Sequence, residues 1–120
     1  MIQEIREWFE RVVPERVRDD PRTIRGVHGA VLFRITGEGG ETWTLRIDDP
    51  AVRAEPGEAP RPDLTLTLDR GTFLAIANGT LSGSTAYKQG KVTVSGNLLL
   101  GLQIAGLLEA GPASPSDDFV

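Results

Sequence analysis

No cysteine occurs in the 120 residues, which excludes disulfides, thiolate metal sites and thiol nucleophiles. Histidine occurs once, as His28. A catalytic triad or an imidazole metal site needs partners at defined geometry, and nothing local supplies them. A strand-edge imidazole is the expectation. A basic surplus is also missing: the formal net charge is −4, so a nucleic-acid partner is not expected. Nor is there a block of like charge that would mark a tail or an anion site. Residues 1–25 balance six Arg against six acids, and most of the negative charge falls in residues 26–60. The longest apolar stretch, Leu98–Leu108, is broken by Gln103 and is too short to cross a bilayer. Met1–Glu7 alternates charge and lacks the apolar run of a signal peptide. A cytoplasmic protein without stable membrane insertion is expected.

What remains suits one globular domain. The chain is 39% hydrophobic and 25% charged, inside the range of sequences that bury a core. Ile2, Ile5, Phe9 and Val12 recur at helical spacing with charged residues between them, which predicts an amphipathic helix over Ile2–Val13. Pro14 interrupts that ladder but suits the first turn of a short helix over Glu15–Arg18. The period then falls to two. Val31, Phe33 and Ile35, then Trp43, Leu45 and Ile47, predict a hairpin around Gly37–Gly40 with one buried and one wetter face. Ala51–Ala54 reads as a short edge strand, Glu55–Pro62 as a surface loop, and Leu64, Leu66 and Leu68 as a further strand.

Asp69 is placed to cap a helix over Arg70–Asn78, which Gly79 stops, and Ser82 to cap one through Tyr87. Lys91–Ser95 is the last strand, and Asn97 caps a helix over Leu98–Glu109 that ends at Gly111-Pro112. Residues 1–112 thus form a single domain and 113–120 a flexible tail. The order of elements predicts an α+β fold whose sheet is covered by helices on one face.

Catalytic motifs fail on inspection. Gly90-Lys91 lacks the first Gly and the Ser or Thr of a phosphate loop, since Thr85 and Val92 stand there. Asp48-Asp49 precedes Pro50 and reads as a turn. Asn78-Gly79-Thr80 reads as a helix end rather than a glycosylated site. No catalytic residue, metal site or cofactor is expected.

The last helix exceeds what a core requires. Leu100, Ile104, Leu107 and Leu108 define one face, and Leu98 and Leu102 with Ala105 define another. Such a helix must be covered twice, with the sheet, an apolar ligand or another subunit as candidates. Gly101 and Gly106, each costing about 1 kcal/mol relative to Ala inside a helix, suggest close packing or a movable helix.

The run Asp63–Leu68, then Phe73-Leu74, Asn78-Gly79 and Ala86–Asn97 resembles the sterol carrier protein type 2 family. Gln89–Asn97 is the most specific part, and the resemblance extends over about residues 28–110. It implies a five-stranded, mostly antiparallel sheet covered by helices, with an apolar tunnel beneath the C-terminal ones. It also implies a carrier of sterols, fatty acids, acyl-CoA or phospholipids that does no chemistry, hence not an enzyme. Carried over residue by residue, Phe73, Leu74, Leu81, Ala86, Tyr87 and the Leu-rich helix fall at tunnel positions, and Gln89 near the ligand's polar end. The tail Ser116–Val120 departs from the family's targeting signal. A similar domain ends the alkyl sulfatases, whose hydrolase part this chain lacks.

Burial of an aliphatic chain among Leu66, Phe73, Leu81, Leu98, Leu102 and Ile104 would be the mechanism. Roughly ten methylenes at about 0.8 kcal/mol each supply about 8 kcal/mol before ordering costs. The alternative is a domain that pairs with a second copy or a partner protein through the apolar C-terminal helix and carries no ligand.

Overall fold

The computed structural model describes residues 2–108. The predicted helix end at Glu109, the Gly111-Pro112 stop and the 113–120 tail lie outside them. The chain starts with α1 (Ile5–Glu7), a π turn (Trp8–Val12) and α2 (Val13–Asp19), which follow one another without a break. The expected stop at Pro14 does not occur. The N–H of Val13 reaches back to the Trp8 carbonyl, so the helix widens by one residue just before the proline. That widening accommodates a ring that would otherwise crowd the carbonyl four residues back. A 3-10 turn (Pro21–Ile24), capped by Asp20, leads into the sheet.

The strands are β1 (His28–Thr36), β2 (Thr42–Asp48), β3 (Ala51–Pro56), β4 (Leu64–Asp69) and β5 (Val92–Gly96). They form one sheet in the order β3-β2-β1-β4-β5. Only the central β1–β4 pair is parallel, so the sheet is mostly antiparallel as expected. The helices α3 (Arg70–Ala77), α4 (Gly83–Lys88) and α5 (Leu98–Leu108) complete an α+β domain. Asn78 ties α3 to the start of the chain: its Oδ1 accepts from the Ile2 N–H at 2.6 Å and its Nδ2 donates to the Ile2 carbonyl at 2.8 Å. That use of the side chain accords with a helix end.

Val31, Phe33 and Ile35, with Trp43, Leu45, Ile47 and the leucines of β4, face the helices and form the main core. At its centre Phe9 touches four rings. It stacks on Trp43 at 4.9 Å and on Phe73 at 5.7 Å, and meets Trp8 and Phe33 edge-on at 4.8 and 5.1 Å. The other face of the sheet is drier than its alternation suggests. Leu32 and Thr44 are buried there, and so is Ala59, within the segment read as a surface loop. The Thr44 hydroxyl donates to the Gly57 carbonyl at 2.8 Å and accepts from the Ala59 N–H at 3.0 Å, which draws the β3–β4 connection onto the sheet.

Asp69 caps α3 as the sequence suggests, accepting the Thr72 N–H at 2.7 Å. That hydrogen bond holds its carboxyl below the ordinary value, with the Thr72 hydroxyl and, to a lesser extent, Lys91 acting in the same direction. A depressed carboxylate adds stability above its unfolded pKa and loses it as pH falls through the folded one. Asp69→Ala is therefore expected to cost about 1 kcal/mol at neutral pH. In urea titrations the gap to wild type should close below about pH 4. A gap that is constant down to pH 2 would remove the carboxylate from the cap.

Candidate functional site

The site is framed by how α5 is anchored. The N–H of Asn97 donates to the Asp63 carbonyl at 2.8 Å, and the Asn97 side chain accepts the Leu100 N–H at 3.3 Å. Gly96 makes this possible: its φ is 108°, and a Cβ there would stand 2.5 Å from the Asp63 carbonyl oxygen. At the far end Arg16 donates to the Leu107 carbonyl at 2.9 Å, a cation on the last turn. The helix is held at both ends.

Between those ends the leucines divide by face. Leu100, Ile104 and Leu107 are buried in the core. Leu98, Leu102 and Ala105, each two positions earlier on the same spacing, line a cavity of about 350 Å³ on the other side. Leu108, grouped with the core face from sequence, is half-buried, packs against the core and also lines the cavity. Gly101 also lines it, with space for a Cβ at 3.5 Å from Leu64, whereas a Cβ at Gly106 would meet nothing within 4 Å. Neither glycine is demanded by close packing.

The sheet contributes Phe33, Leu66, Leu68, Val92 and Val94 to the cavity. The helices contribute Trp8, Phe73, Ile76 and Ala77, and from α4 Gly83, Ser84 and Tyr87. No charged side chain is among them. The polar side chains are Ser84, Tyr87 and the indole of Trp8, whose Nε1 is buried without a hydrogen-bond partner among the described residues. An unpaired buried N–H costs about 1–3 kcal/mol. Tyr87, Leu98 and Leu102 are 54%, 56% and 75% exposed although they line the cavity, so they mark its mouth.

Of the residues singled out from sequence, Leu66, Phe73, Tyr87, Leu98 and Leu102 meet at this cavity. The others are placed elsewhere. Ile104 and Ala86 are wholly buried in the core, and Leu81 packs against it half-buried. Leu74 borders a separate shallow groove with Ile2, Arg70 and Asn78. Gln89 is exposed at the C-cap of α4. Three lining positions were within reach of the periodicity: Ile76 lies one turn after Phe73, and Val92 and Val94 share the inner face of β5. Trp8, one turn after Ile5, was legible as core but not as cavity wall.

His28 gains a partner the sequence does not reveal. Across the β1–β2 rung its Nδ1 lies 2.6 Å from Asp48 Oδ1, with both side chains largely exposed. The pair is outside the cavity lining. Among the described residues no cluster of three His, Asp or Glu side chains could hold a metal, and no helix is long and apolar enough to cross a membrane.

Comparison with known proteins gives a consistent result. Residues 9–109 match the SCP-2 sterol transfer family. Human Sterol carrier protein 2 is 25% identical over 88% of this chain and 20% of its own length. Human Hydroxysteroid dehydrogenase-like protein 2 is 25% identical over 82% of this chain and 23% of its own. This chain therefore spans about a fifth of the length of these curated relatives. In the solution structure of palmitated SCP2L2 from Aedes aegypti, the likeness covers 91% of this chain and 97% of that one. Its TM-score is 0.73 at 28% identity.

Proposed function

The chain belongs to the SCP-2 sterol transfer family, and from that premise we propose that it binds and carries a single-chain lipid in the cavity beneath α5. The observation that carries this reading is a space of about 350 Å³ with no charged side chain among the described residues of its wall. If a methylene takes about the ~30 Å³ share of a water molecule, that space holds roughly a dozen. At about 0.8 kcal/mol each they supply about 9 kcal/mol, enough for micromolar affinity after ordering costs. An aliphatic tail fits such a wall, and its charged or polar end would be left at the mouth beside Tyr87. The palmitated relative supports the choice of an acyl chain over a bulkier ligand. The carriage reading assigns no bond-making step to this domain, and its cytoplasmic location remains part of the proposal.

Uptake of a fluorescent fatty acid, measured by titration and by displacement with palmitate, tests it. Saturable binding at one site per chain with micromolar Kd is the expected result. His28→Ala should leave that Kd unchanged and shift stability by no more than about 0.5 kcal/mol, as for an exposed pair. Failure of any acyl probe to saturate, with the chain folded and monomeric, would overturn the reading. Loss of affinity in His28→Ala would bring the His28–Asp48 pair into the site.

A further inference from the structure

The chain's two tryptophans both belong to the buried aromatic cluster, yet their indole N–H groups differ in what they meet. Trp43 Nε1 donates to Glu41 Oε1 at 2.7 Å. Trp8 Nε1 has no partner, and it is the single buried side-chain nitrogen or oxygen so left among the described residues. The Trp8 ring meets Phe9, Phe33 and Phe73 edge-on, at 4.8, 6.0 and 5.4 Å between centroids, and these side chains offer no oxygen. On another side it borders the cavity beneath α5, whose wall it shares with Phe33 and Phe73. The other polar side chains of that wall, Ser84 and Tyr87, are exposed members of α4. Trp8 is therefore the polar group of the buried part of the described wall. An unmet donor in an apolar interior is destabilising, and a phenyl ring at position 8 would fill most of the same place without that penalty. The penalty disappears if the acceptor arrives with the ligand.

We propose that the carried lipid bears a carbonyl oxygen within its aliphatic chain, and that this oxygen accepts a hydrogen bond from Trp8 Nε1 when the cavity is filled. The proposal rests on the carriage reading and names the class of cargo: an oxygenated acyl chain rather than a plain saturated one. The wall selects the kind of oxygen. A carboxylate beside Trp8 would be a desolvated charge with one donor and no cation among the described lining residues. A hydroxyl would bring a proton of its own, for which the buried side chains of the wall supply no acceptor. A carbonyl only accepts, so one N–H satisfies it while the methylenes on either side keep their contact with Phe33, Leu66 and Phe73. The ionised end of the same lipid stays at the mouth beside Tyr87. Trp8 then discriminates between chains of equal length, which the aliphatic wall alone cannot do.

The test titrates palmitate against hexadecanoic acids that carry one keto group near the carboxyl, at mid-chain or near the methyl end. Proton–nitrogen correlation NMR follows the two indole resonances at the same time. One keto isomer should bind about fivefold more tightly than palmitate and move the Trp8 indole proton downfield. The Trp43 indole, already bonded to Glu41, should stay in place, and palmitate should move the Trp8 resonance far less. In Trp8→Phe the ratio of keto-acid to palmitate affinity should fall to about one, a ratio that general loosening of the cavity leaves alone. If Trp8→Phe does not fold, the wild-type ratio and the Trp8 resonance decide by themselves. Equal affinity for palmitate and every keto isomer, or a preference that Trp8→Phe retains, would overturn the inference and leave carriage standing. So would a Trp8 resonance that palmitate moves as far as any ketone, which would put the carboxyl group at the indole. Failure of every acyl ligand to bind, ketone or not, would remove the carriage reading and this inference with it.

Discussion

Phe9→Ala is expected to cost about 4 kcal/mol, a large share of the stability of a domain this size. Phe9 is wholly buried and its ring meets Trp8, Phe33, Trp43 and Phe73. Truncation removes the transfer energy of the ring and leaves a void. It also loses ring–ring contacts worth about 0.5–1.5 kcal/mol each beyond area. The neighbours cannot all collapse into the gap, because they come from different elements: α3, the β1–β2 hairpin and the helix itself. Urea unfolding followed by tryptophan emission checks this directly, since Trp8 and Trp43 both belong to the cluster. Phe9→Leu, which keeps most of the volume, should recover at least half of the loss. A cost below about 1.5 kcal/mol for Phe9→Ala would mean that the cluster is not what holds the N-terminal helix to the sheet. The effect should also reach the cavity. Trp8, Phe33 and Phe73 form part of its wall while Phe9 supports them from behind, so the variant is expected to bind acyl probes less tightly even where it is folded.

Much of this arrangement was legible because periodicity reports burial. The alternation in Val31–Ile35, Trp43–Ile47 and Leu64–Leu68 placed three strands and their inner faces correctly, and Asp69, Ser82 and Asn97 marked the helix starts by their side-chain chemistry. The five-stranded, mostly antiparallel sheet came from resemblance, its strand order was not read, and nothing local in the chain says that β4 pairs parallel to β1. The misreadings share one cause. Pro14 and Ala59 looked like an interruption and a surface residue when judged from neighbours in sequence, whereas a widened helical turn accommodates the one and the Thr44 hydroxyl helps bury the other. His28 is exposed as read, and only its partner across the rung, Asp48, was out of sight. The site was only half visible for a related reason. A cavity wall is drawn from every element that faces it, and sequence period separates inward from outward without separating core from cavity. The pattern puts Ile104 and Leu102 on different faces of the last helix but makes both candidates for ligand contact, and only the position of α5 over the sheet shows that one packs and the other lines open space.

That division of α5 leads to the second large effect. Leu100→Asp and Leu102→Asp place the same charge two residues apart on one helix, and opposite outcomes are expected. Leu100 is buried against the core, so an aspartate there must be desolvated without a partner, costing several kcal/mol. The Leu100 variant should be largely unfolded or strongly shifted in urea. Leu102 is 75% exposed, so its aspartate stays hydrated in the empty protein and stability should change by about 0.5 kcal/mol or less. Filling the cavity reverses that tolerance, because an aliphatic tail against residue 102 would strip water from the carboxylate. The Leu102 variant should therefore remain monomeric and folded by circular dichroism yet lose tenfold or more in affinity for a fluorescent fatty acid. Asparagine at the same position, polar but uncharged, should lose less, which separates desolvation of charge from simple loss of a leucine. Retained affinity in Leu102→Asp would place the ligand deeper, against Leu66 and Phe73. Loss of folding in Leu102→Asp, to the same degree as in Leu100→Asp, would instead show that both faces of α5 are packed and that no open cavity separates them.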